Sequence, residues 1–384
     1  MRITNGMMVN TLNRNIAGNL GRMDMIQNRM ATGRKFANIS DDPLALIYSQ
    51  SARNMMARID NFRRSTLTAG DWLRQAEDGI MDLQRTMVDL YVETVNAADD
   101  AKGVGPEAGR TNIAPVISQL RQSLVDNLNV TLGDRFMFGG HNTPGDPANT
   151  LEDKTTRPFT VENGALHFNG FNISQFDGMP AQAFNTLFRG ENPPTEAEIT
   201  AAFSTLSGFA PEDFNLDGPG GEATAAVMHR LINDVPTFIV GAGISMPATM
   251  NGIELAMFPT RETDADGNSI HVMRSSWDLV GELYEHVQAG ADAEVIGEFI
   301  RPLQDAQRHL LTQTAEIGGR VRRLEMLEAR YEQSMINFER MRSEAEDVDF
   351  AETMLHFKMA EAVYQAALSA GARVIQPTLM DFLR

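Results

Sequence analysis

Histidine is the residue type in this sequence that is best suited to bind a transition metal. Two imidazoles on one face of a helix lie four residues apart, and no pair of histidines here has that spacing. The seven are His141, His167, His229, His271, His286, His309 and His356. This pattern favours isolated surface or core histidines, and the sequence predicts no metal site.

Two loops look superficially like ligand sites. Asp264-Ala265-Asp266-Gly267-Asn268 is similar to a calcium loop, but its glycine comes two residues early and the closing Glu is missing. Gly218-Pro219-Gly220-Gly221 has no Lys-Ser or Lys-Thr after it, so it is not expected to cradle a phosphate. Solvated turns are the better interpretation of both, and no cofactor is predicted.

Residues for covalent catalysis are equally sparse. The chain has no cysteine and no Gly-x-Ser-x-Gly sequence, so neither a thiol nucleophile nor a serine elbow is present. The acidic pair Glu212-Asp213 lies among proline and glycine, a context typical of solvent-exposed residues. We therefore predict no catalytic residues and a protein that is not an enzyme.

Composition excludes two further classes of function. The net charge of -18, from 51 acidic and 33 basic residues, argues against a protein that wraps nucleic acid or lies on an anionic membrane. No apolar run is long enough to span a bilayer, and the asparagine-rich N-terminus lacks the apolar block of a signal peptide. If the protein is exported, we expect a route without a cleaved leader.

Proline divides the chain into two helical arms and a different middle. Eleven of the 16 prolines fall between Pro144 and Pro259, and proline in a helix interior costs about 3 kcal/mol. Residues 140–275 also carry 17 acidic against six basic residues and eleven of the 20 phenylalanines. The middle is therefore predicted to be a separate, acidic, mixed α/β domain.

The arms carry sustained heptad repeats, which are typical of long packed helices. One seam is Phe62, Ala69, Ala76, Leu83, Leu90 and Ala97. The other is Leu303, Leu310, Ile317, Leu324, Tyr331 and Phe338. We expect the two seams to face each other, with a third helix from about Pro106 to Leu132.

Local signals mark the ends of several elements. Asp41 or Asp42 can cap the amides of a helix in which Pro43 takes the first position. Glu346-Asp347-Val348-Asp349 places acids where the start of a last helix favours negative charge. The aromatic residues of the stretch 133–140 predict a strand that leaves the helical bundle.

The first 33 residues have a helical pattern but few strong helix formers, and their apolar side chains are too few to offset the entropy of ordering the segment alone. Their apolar face is Val9, Leu12, Ile16, Leu20, Met23, Ile26 and Met30. The face expected to meet it, in the same chain or in copies, is Leu355, Met359, Ala362, Ala366 and Ala370. We predict that the first and last helices pair and that the pair packs against copies of itself.

Several motifs, in order and at both ends, resemble the flagellin superfamily. They are Met1-Arg2-Ile3-Thr4, Met30-Ala31-Thr32-Gly33-Arg34-Lys35, Ser40-Asp41-Asp42-Pro43, the glycine-bounded stretch 133–140, Glu346-Asp347-Val348-Asp349-Phe350-Ala351-Glu352, Gln365-Ala366-Ala367-Leu368 and Leu379-Met380-Asp381-Phe382-Leu383-Arg384. The start of the chain is most similar to the hook-associated members at the junction of hook and filament. The resemblance covers about 1–140 and 276–384, and residues 140–275 match nothing recognisable.

The resemblance implies a mainly α fold, a long helical coiled-coil or rod bundle made from both chain ends with an inserted mixed α/β outer domain. The expected parts are 1–42 with 345–384 as an inner coiled coil, 43–139 with 276–344 as a helical rod, and 140–275 as the outer domain. It also implies an extracellular protein of the bacterial flagellum that leaves by type III export. Its expected partners are copies of itself, hook-associated protein 1, flagellin and a cytoplasmic export chaperone, with no nucleic acid or membrane.

The leading hypothesis is thus a structural axial protein that polymerises through its terminal helices to connect hook to filament. Bulk flagellin of the filament is the near alternative. From another class comes a stalked binding module, whose acidic middle domain recognises a surface ligand. An enzyme is the remotest of these readings.

Overall fold

The computed structural model describes residues 5–36, 38, 40–99, 109–133, 135–140, 157–190, 192–204, 209–216, 218–247, 249–263 and 269–374. Its helices are α1 (Asn5–Thr32), α2 (Pro43–Ala97), α3 (Ala114–Leu128), α4 (Ala181–Phe188), α5 (Glu196–Phe203), α6 (Gly218–Asn233), α7 (Gly252–Ala256), α8 (Ser276–Ala289), α9 (Ala293–Gly297), α10 (Ile300–Glu346) and α11 (Phe350–Val374). Its strands are β1 (Thr131–Leu132), β2 (Arg135–Phe136), β3 (Phe159–Glu162), β4 (Ala165–Phe168), β5 (Phe171–Asn172), β6 (Thr237–Gly241), β7 (Ile244–Pro247), β8 (Met257–Thr263) and β9 (Ser269–Ser275). The mainly α class with a mixed middle is confirmed.

The chain forms two compact units. The terminal unit comprises Met1–Asn61 with Ala329–Arg384, and the central unit comprises Phe62–Glu328. The central unit holds most of the predicted rod together with the predicted outer domain, whereas rod residues 43–61 and 329–344 fall in the terminal unit. The three-part organisation stays a prediction. The motifs at 1–4 and 379–384 and the acidic loop at 264–268 lie outside the described residues.

Two helical seams form the spine of the central unit. Ala69, Ala76, Leu83, Leu90 and Ala97 of α2 are buried, as are Leu303, Leu310, Ile317 and Leu324 of α10. Between the helices, the Gln84 side chain donates a hydrogen bond to Thr314 Oγ1 at 2.7 Å, and Gln307 donates to the Met87 carbonyl at 3.1 Å. The seams therefore face each other, as their spacing predicts.

The third helix and the aromatic strand are both shorter than predicted. A 3₁₀ turn at Gly109–Ile113 precedes α3, and the helix ends at Leu128 rather than near 132. Among the described residues of the stretch 133–140, which exclude 134, only Arg135–Phe136 is a strand, paired antiparallel with Thr131–Leu132. Met137 and Phe138 are fully buried instead, because the chain turns into the core directly after this short hairpin.

The middle of the chain packs small antiparallel sheets and short helices around phenylalanine. Strands β3, β4 and β5 form one sheet, while β6–β7 and β8–β9 form separate hairpins. The fully buried rings are Phe159, Phe168, Phe176, Phe184, Phe188 and Phe258. Together with the buried faces of the neighbouring helices they make one continuous hydrophobic core within the central unit.

A single arginine in this region serves three carboxylates. Arg274 lies 2.7 Å from Glu282, 3.1 Å from Glu262 and 3.3 Å from Asp177. Burial raises the pKa of Asp177 to about 7; the Arg274 charge and the amide of Ser275 oppose this, while Asp278 and Glu282 add to it. Because burial is the largest of these influences, Asp177 keeps its proton to a pH well above the usual range for a carboxylic acid.

Candidate assembly surface

Helices α1 and α11 of the terminal unit lie antiparallel. At one end the Lys35 amide donates to the Glu346 carbonyl at 2.7 Å, and the Val348 amide donates to the Gly33 carbonyl at 2.9 Å. Gly33 has a φ of 69°, a conformation that ends α1 and suits glycine. The end of α1 is thus clasped to the start of α11.

A close approach toward the other end completes the pairing. Leu12 lies 20 residues before Thr32, and Gly371 lies 21 residues after Phe350, so equal rises bring them level. A Cβ atom at Gly371 would come within 2.8 Å of Leu12 Cδ2. The missing side chain therefore lets the two helices meet closely at this level.

Glu346 is the electrostatic centre of the clasp, with its side chain only 5% exposed. It accepts hydrogen bonds from Ser49 Oγ at 3.0 Å and from Arg53 Nη2 at 2.6 and 2.7 Å, and Arg34 Nε lies 3.0 Å away. Burial alone would raise the pKa of Glu346, but the Arg53 and Ser49 hydrogen bonds and the Arg53 and Arg34 charges outweigh it and lower that pKa. A charged Glu346 holds three segments together.

The acids singled out in the sequence take distinct places at helix starts. Asp42 Oδ1 accepts a hydrogen bond from the Ala45 amide at 2.9 Å, and α2 begins at Pro43. Asp41 instead accepts from the Asn38 amide at 2.9 Å, in the preceding turn. The start of α11 is capped by Asp349, whose carboxylate accepts from the amides of Ala351 and Glu352.

The predicted N-terminal face lies on one side of α1 but is nowhere deeply covered. Six of its members are half-buried and Leu20 is exposed. The half-buried members are Val9, Leu12, Ile16, Met23, Ile26 and Met30. None of the described side chains between 6 and 35 is fully buried.

The predicted C-terminal face lies on the outside of α11. Leu355 is 60% exposed and Met359 58%, and the three alanines Ala362, Ala366 and Ala370 are exposed as well. The covered face of α11 is a different one: Thr353, Phe357, Ala360, Tyr364, Ala367 and Gly371. The structure therefore does not bring the two predicted faces together within one chain, and their contact between copies stays a prediction.

A second exposed apolar stripe, at the start of α2, was missed by the sequence reasoning. Leu44 and Ile47 are each 64% exposed, and Tyr48 and Met55 follow on the same face. The spacing of three, four and eleven residues from Leu44 is visible in the sequence, directly after the capping signal at Asp42-Pro43. The terminal unit thus presents apolar side chains on α2 and on α11.

These exposed apolar helices are not membrane spans. Of the helices described here, none combines the length and the hydropathy needed to cross a bilayer. The described residues also contain no cluster of three potential metal ligands. The terminal unit therefore exposes apolar surface, and burial of that surface against another protein would be energetically favourable.

The fold has solved counterparts. A candidate flagellar hook-associated protein from Vibrio parahaemolyticus matches with a TM-score of 0.52 at 12% identity, over 80% of this chain and 100% of that one. Its likeness confirms the resemblance of the fold, and at this identity it shows the fold alone. No family model matches the sequence, and a search of curated proteins gives no match.

Two further solved structures also align over most of their length. FlgL from Bacillus cereus has a TM-score of 0.44 at 14% identity, over 76% of this chain and 97% of that one. The flagellar junction protein FlgL from Legionella pneumophila has a TM-score of 0.47 at 11% identity, over 78% and 100%.

Proposed function

We propose that this chain is a structural, non-enzymatic axial protein of the bacterial flagellum with the role of flagellar hook-associated protein 3. It polymerises through its terminal helices and connects the hook to the filament. The fold shared with the Vibrio parahaemolyticus protein supports the flagellar setting, and the terminal unit supports polymerisation.

The observation that carries this proposal is a 28-residue helix, α1, without one fully buried side chain among residues 6–32. In proteins most helical stability comes from packing an apolar face, and the apolar side chains of α1 are at most half-buried within the chain. Beside it, Leu355 and Met359 on α11 and Leu44 and Ile47 on α2 are exposed. Neighbouring copies would bury these side chains and supply the missing packing.

The mechanism follows as folding coupled to assembly. In the free chain the terminal helices are weakly held, which keeps the subunit exportable. A cytoplasmic chaperone shields the exposed face of α11 until export. Outside the cell, contacts with copies of this chain, with hook-associated protein 1 and with flagellin stabilise the helices by mass action.

A matched pair of substitutions tests the assembly surface. Leu355→Asp places a charge on the exposed face of α11, and we expect it to abolish polymerisation while the monomer keeps its helicity. Leu311→Asp is the control, because Leu311 is also on a helix and is 57% exposed but lies in the central unit. Sedimentation of assembled protein and far-UV circular dichroism measure the two effects. Equal assembly of the two variants would contradict the proposed surface.

The position of labelled protein on isolated flagella tests the junction role separately. A short band at the hook end is the expected result. Label along the whole filament would instead make the chain a bulk flagellin, while leaving the assembly surface intact.

A further inference from the structure

A basic groove interrupts the otherwise acidic surface of the central unit. It lies between the β8–β9 hairpin and α10 and has a volume of about 500 Å³. Its lining comprises Pro259, Arg261, His271, Arg301, Asp305, Arg308, His309 and Thr312. Three arginines face one carboxylate here, in a chain whose net charge is -18.

The groove is built by a fixed contact between the hairpin and the helix. Buried Thr260 of β8 donates a hydrogen bond to Asp305 Oδ2 of α10 at 2.7 Å. Along α10, Arg301, Asp305 and Arg308 are four and three residues apart, so they share one helix face. The walls are therefore regular elements held in place by a buried hydrogen bond.

Two of the three guanidinium groups are uncommitted. Arg308 pairs with Asp305 at 2.5 Å. The side chains of Arg261 and Arg301 form neither an ion pair nor a hydrogen bond with any part of the chain that the structure describes. The single carboxylate of the groove is thus already used by Arg308 and Thr260.

The imidazoles do not neutralise this charge. His271 lies directly opposite Arg261 in the antiparallel register of β8 and β9, and neither side chain can compensate the other. His309 Nε2 donates to the Glu254 carbonyl at 2.7 Å, and burial lowers the pKa of His309, which favours the neutral ring. Basic groups therefore converge on a space whose one carboxylate, that of Asp305, is already paired.

We infer that this groove binds a small anionic ligand, whose carboxylate, phosphate or sulfate group is held by Arg261 and Arg301. The planar guanidinium fork matches the geometry of such oxyanions and can bind them through paired hydrogen bonds. A volume of about 500 Å³ accommodates a ligand of the size of a sugar acid or sugar phosphate, within the usual range of small-molecule sites. The hydroxyl of Thr312 offers a further polar contact for the body of such a ligand.

Calorimetric titration of the full chain at low salt tests this inference with four probes: glucuronate, glucose 6-phosphate, glucose 6-sulfate and neutral glucose. We expect at least one anion to bind and glucose not to bind, and the preferred oxyanion identifies the chemical source. Arg261→Gln combined with Arg301→Gln should weaken binding by about tenfold or more, since charged hydrogen bonds are lost.

The matched control is Arg74→Gln combined with Arg85→Gln, which removes the same charge from exposed ion pairs on α2. It should leave the affinity within about twofold of the parent, because exposed charges at a distance are screened. Equal losses in the two double variants would overturn the site, as would the absence of binding for all three anions.

Histidine resonances give a second readout that does not depend on substitution of the arginines. With ¹³C-labelled histidine, addition of the anion that binds should shift the signal of His271, which lies in the groove. His167 and His286 lie outside the lining and should not move. A shift spread evenly over all histidines, or none at His271, would contradict binding in this groove.

Discussion

The two units differ in how far they bury the apolar faces of their long helices. In the central unit, the heptad positions of α2 and α10 are buried against each other, and Leu303, Leu310 and Ile317 are almost completely covered. In the terminal unit, the comparable positions of α1 are half-buried, and the stripe on α11 that includes Leu355 is exposed. The comparison shows that the central unit buries its seams within one chain, whereas the terminal unit leaves apolar helix faces exposed, which the proposed assembly would cover.

The largest expected effect comes from truncation in the central seam. Leu310→Ala should lower the free energy of unfolding by about 3 kcal/mol, because a fully buried leucine leaves a cavity. Leu355→Ala, on the exposed stripe, should change the monomer by less than about 0.5 kcal/mol. Urea denaturation of the two monomers measures the difference. Equal destabilisation would remove the contrast between the units.

The next effect is a dependence on pH that is confined to the central unit. Because the pKa of Asp177 is raised to about 7, the native state keeps a proton on this carboxyl at pH values between about 4 and 7, where the unfolded state has already lost it. Stability from this group is therefore present at low pH and is lost as the pH rises through about 7. Between pH 5 and pH 7 the loss should be about 2 kcal/mol.

Asp177→Asn supplies the control, since an amide keeps the shape without the titration. The free energies of unfolding of the parent and the variant are measured by urea denaturation at pH 5 and pH 7. The difference between the two proteins should fall by the expected amount between these pH values. If both lose stability in parallel, another group is responsible.

In the terminal unit, Glu346→Gln should loosen the clasp by about 1–3 kcal/mol, as charge-assisted hydrogen bonds from Arg53 and Ser49 weaken. Since the pKa of Glu346 is lowered, the stabilisation is present above the ordinary carboxylate pKa and is lost as the pH falls through the native value. Faster amide exchange in residues 33–36 and 346–348 is the expected measurement, with the central seam unchanged. Uniform acceleration across both units would speak against a local clasp.

The smallest effect is expected at the start of α2. Asp42→Ala removes the acceptor of the Ala45 amide and should cost about 1 kcal/mol, the usual value of a helix cap. Asp41→Ala, whose carboxylate serves the preceding turn, is the neighbouring comparison. Amide exchange at Ala45 and Leu46 should rise in the first variant and much less in the second.

The sequence predicts those parts of the fold that depend on interactions between residues close together in the chain. Heptads and the Asp42-Pro43 signal are local, so they predict the long helices and the seam of the central unit. In α11 small apolar residues occur on both faces, and periodicity alone therefore selected Leu355 and Met359 rather than the covered Phe357 and Tyr364. The sequence has no local property that could choose between the two faces.

Contacts between distant residues were outside the reach of such reasoning. Glu346 meets Ser49 and Arg53 only because α2 and α10 fold back beside each other in the terminal unit, nearly 300 residues apart in the chain. The placement of Arg261 and Arg301 in the same basic groove depends likewise on the contact between hairpin and helix. These sites emerge from topology, and no short motif signals them.

The close approach of Leu12 to Gly371 fixes the register of α1 against α11, so positions on the two helices can be chosen for a distance measurement. Three residues further along α1 and three residues back along α11, the exposed positions Asn15 and Leu368 come level with each other. Since the chain has no cysteine, Asn15→Cys with Leu368→Cys creates two unique attachment points for spectroscopic labels. The distance between the two labels, measured by energy transfer or spin–spin coupling, would then report when α1 and α11 pair.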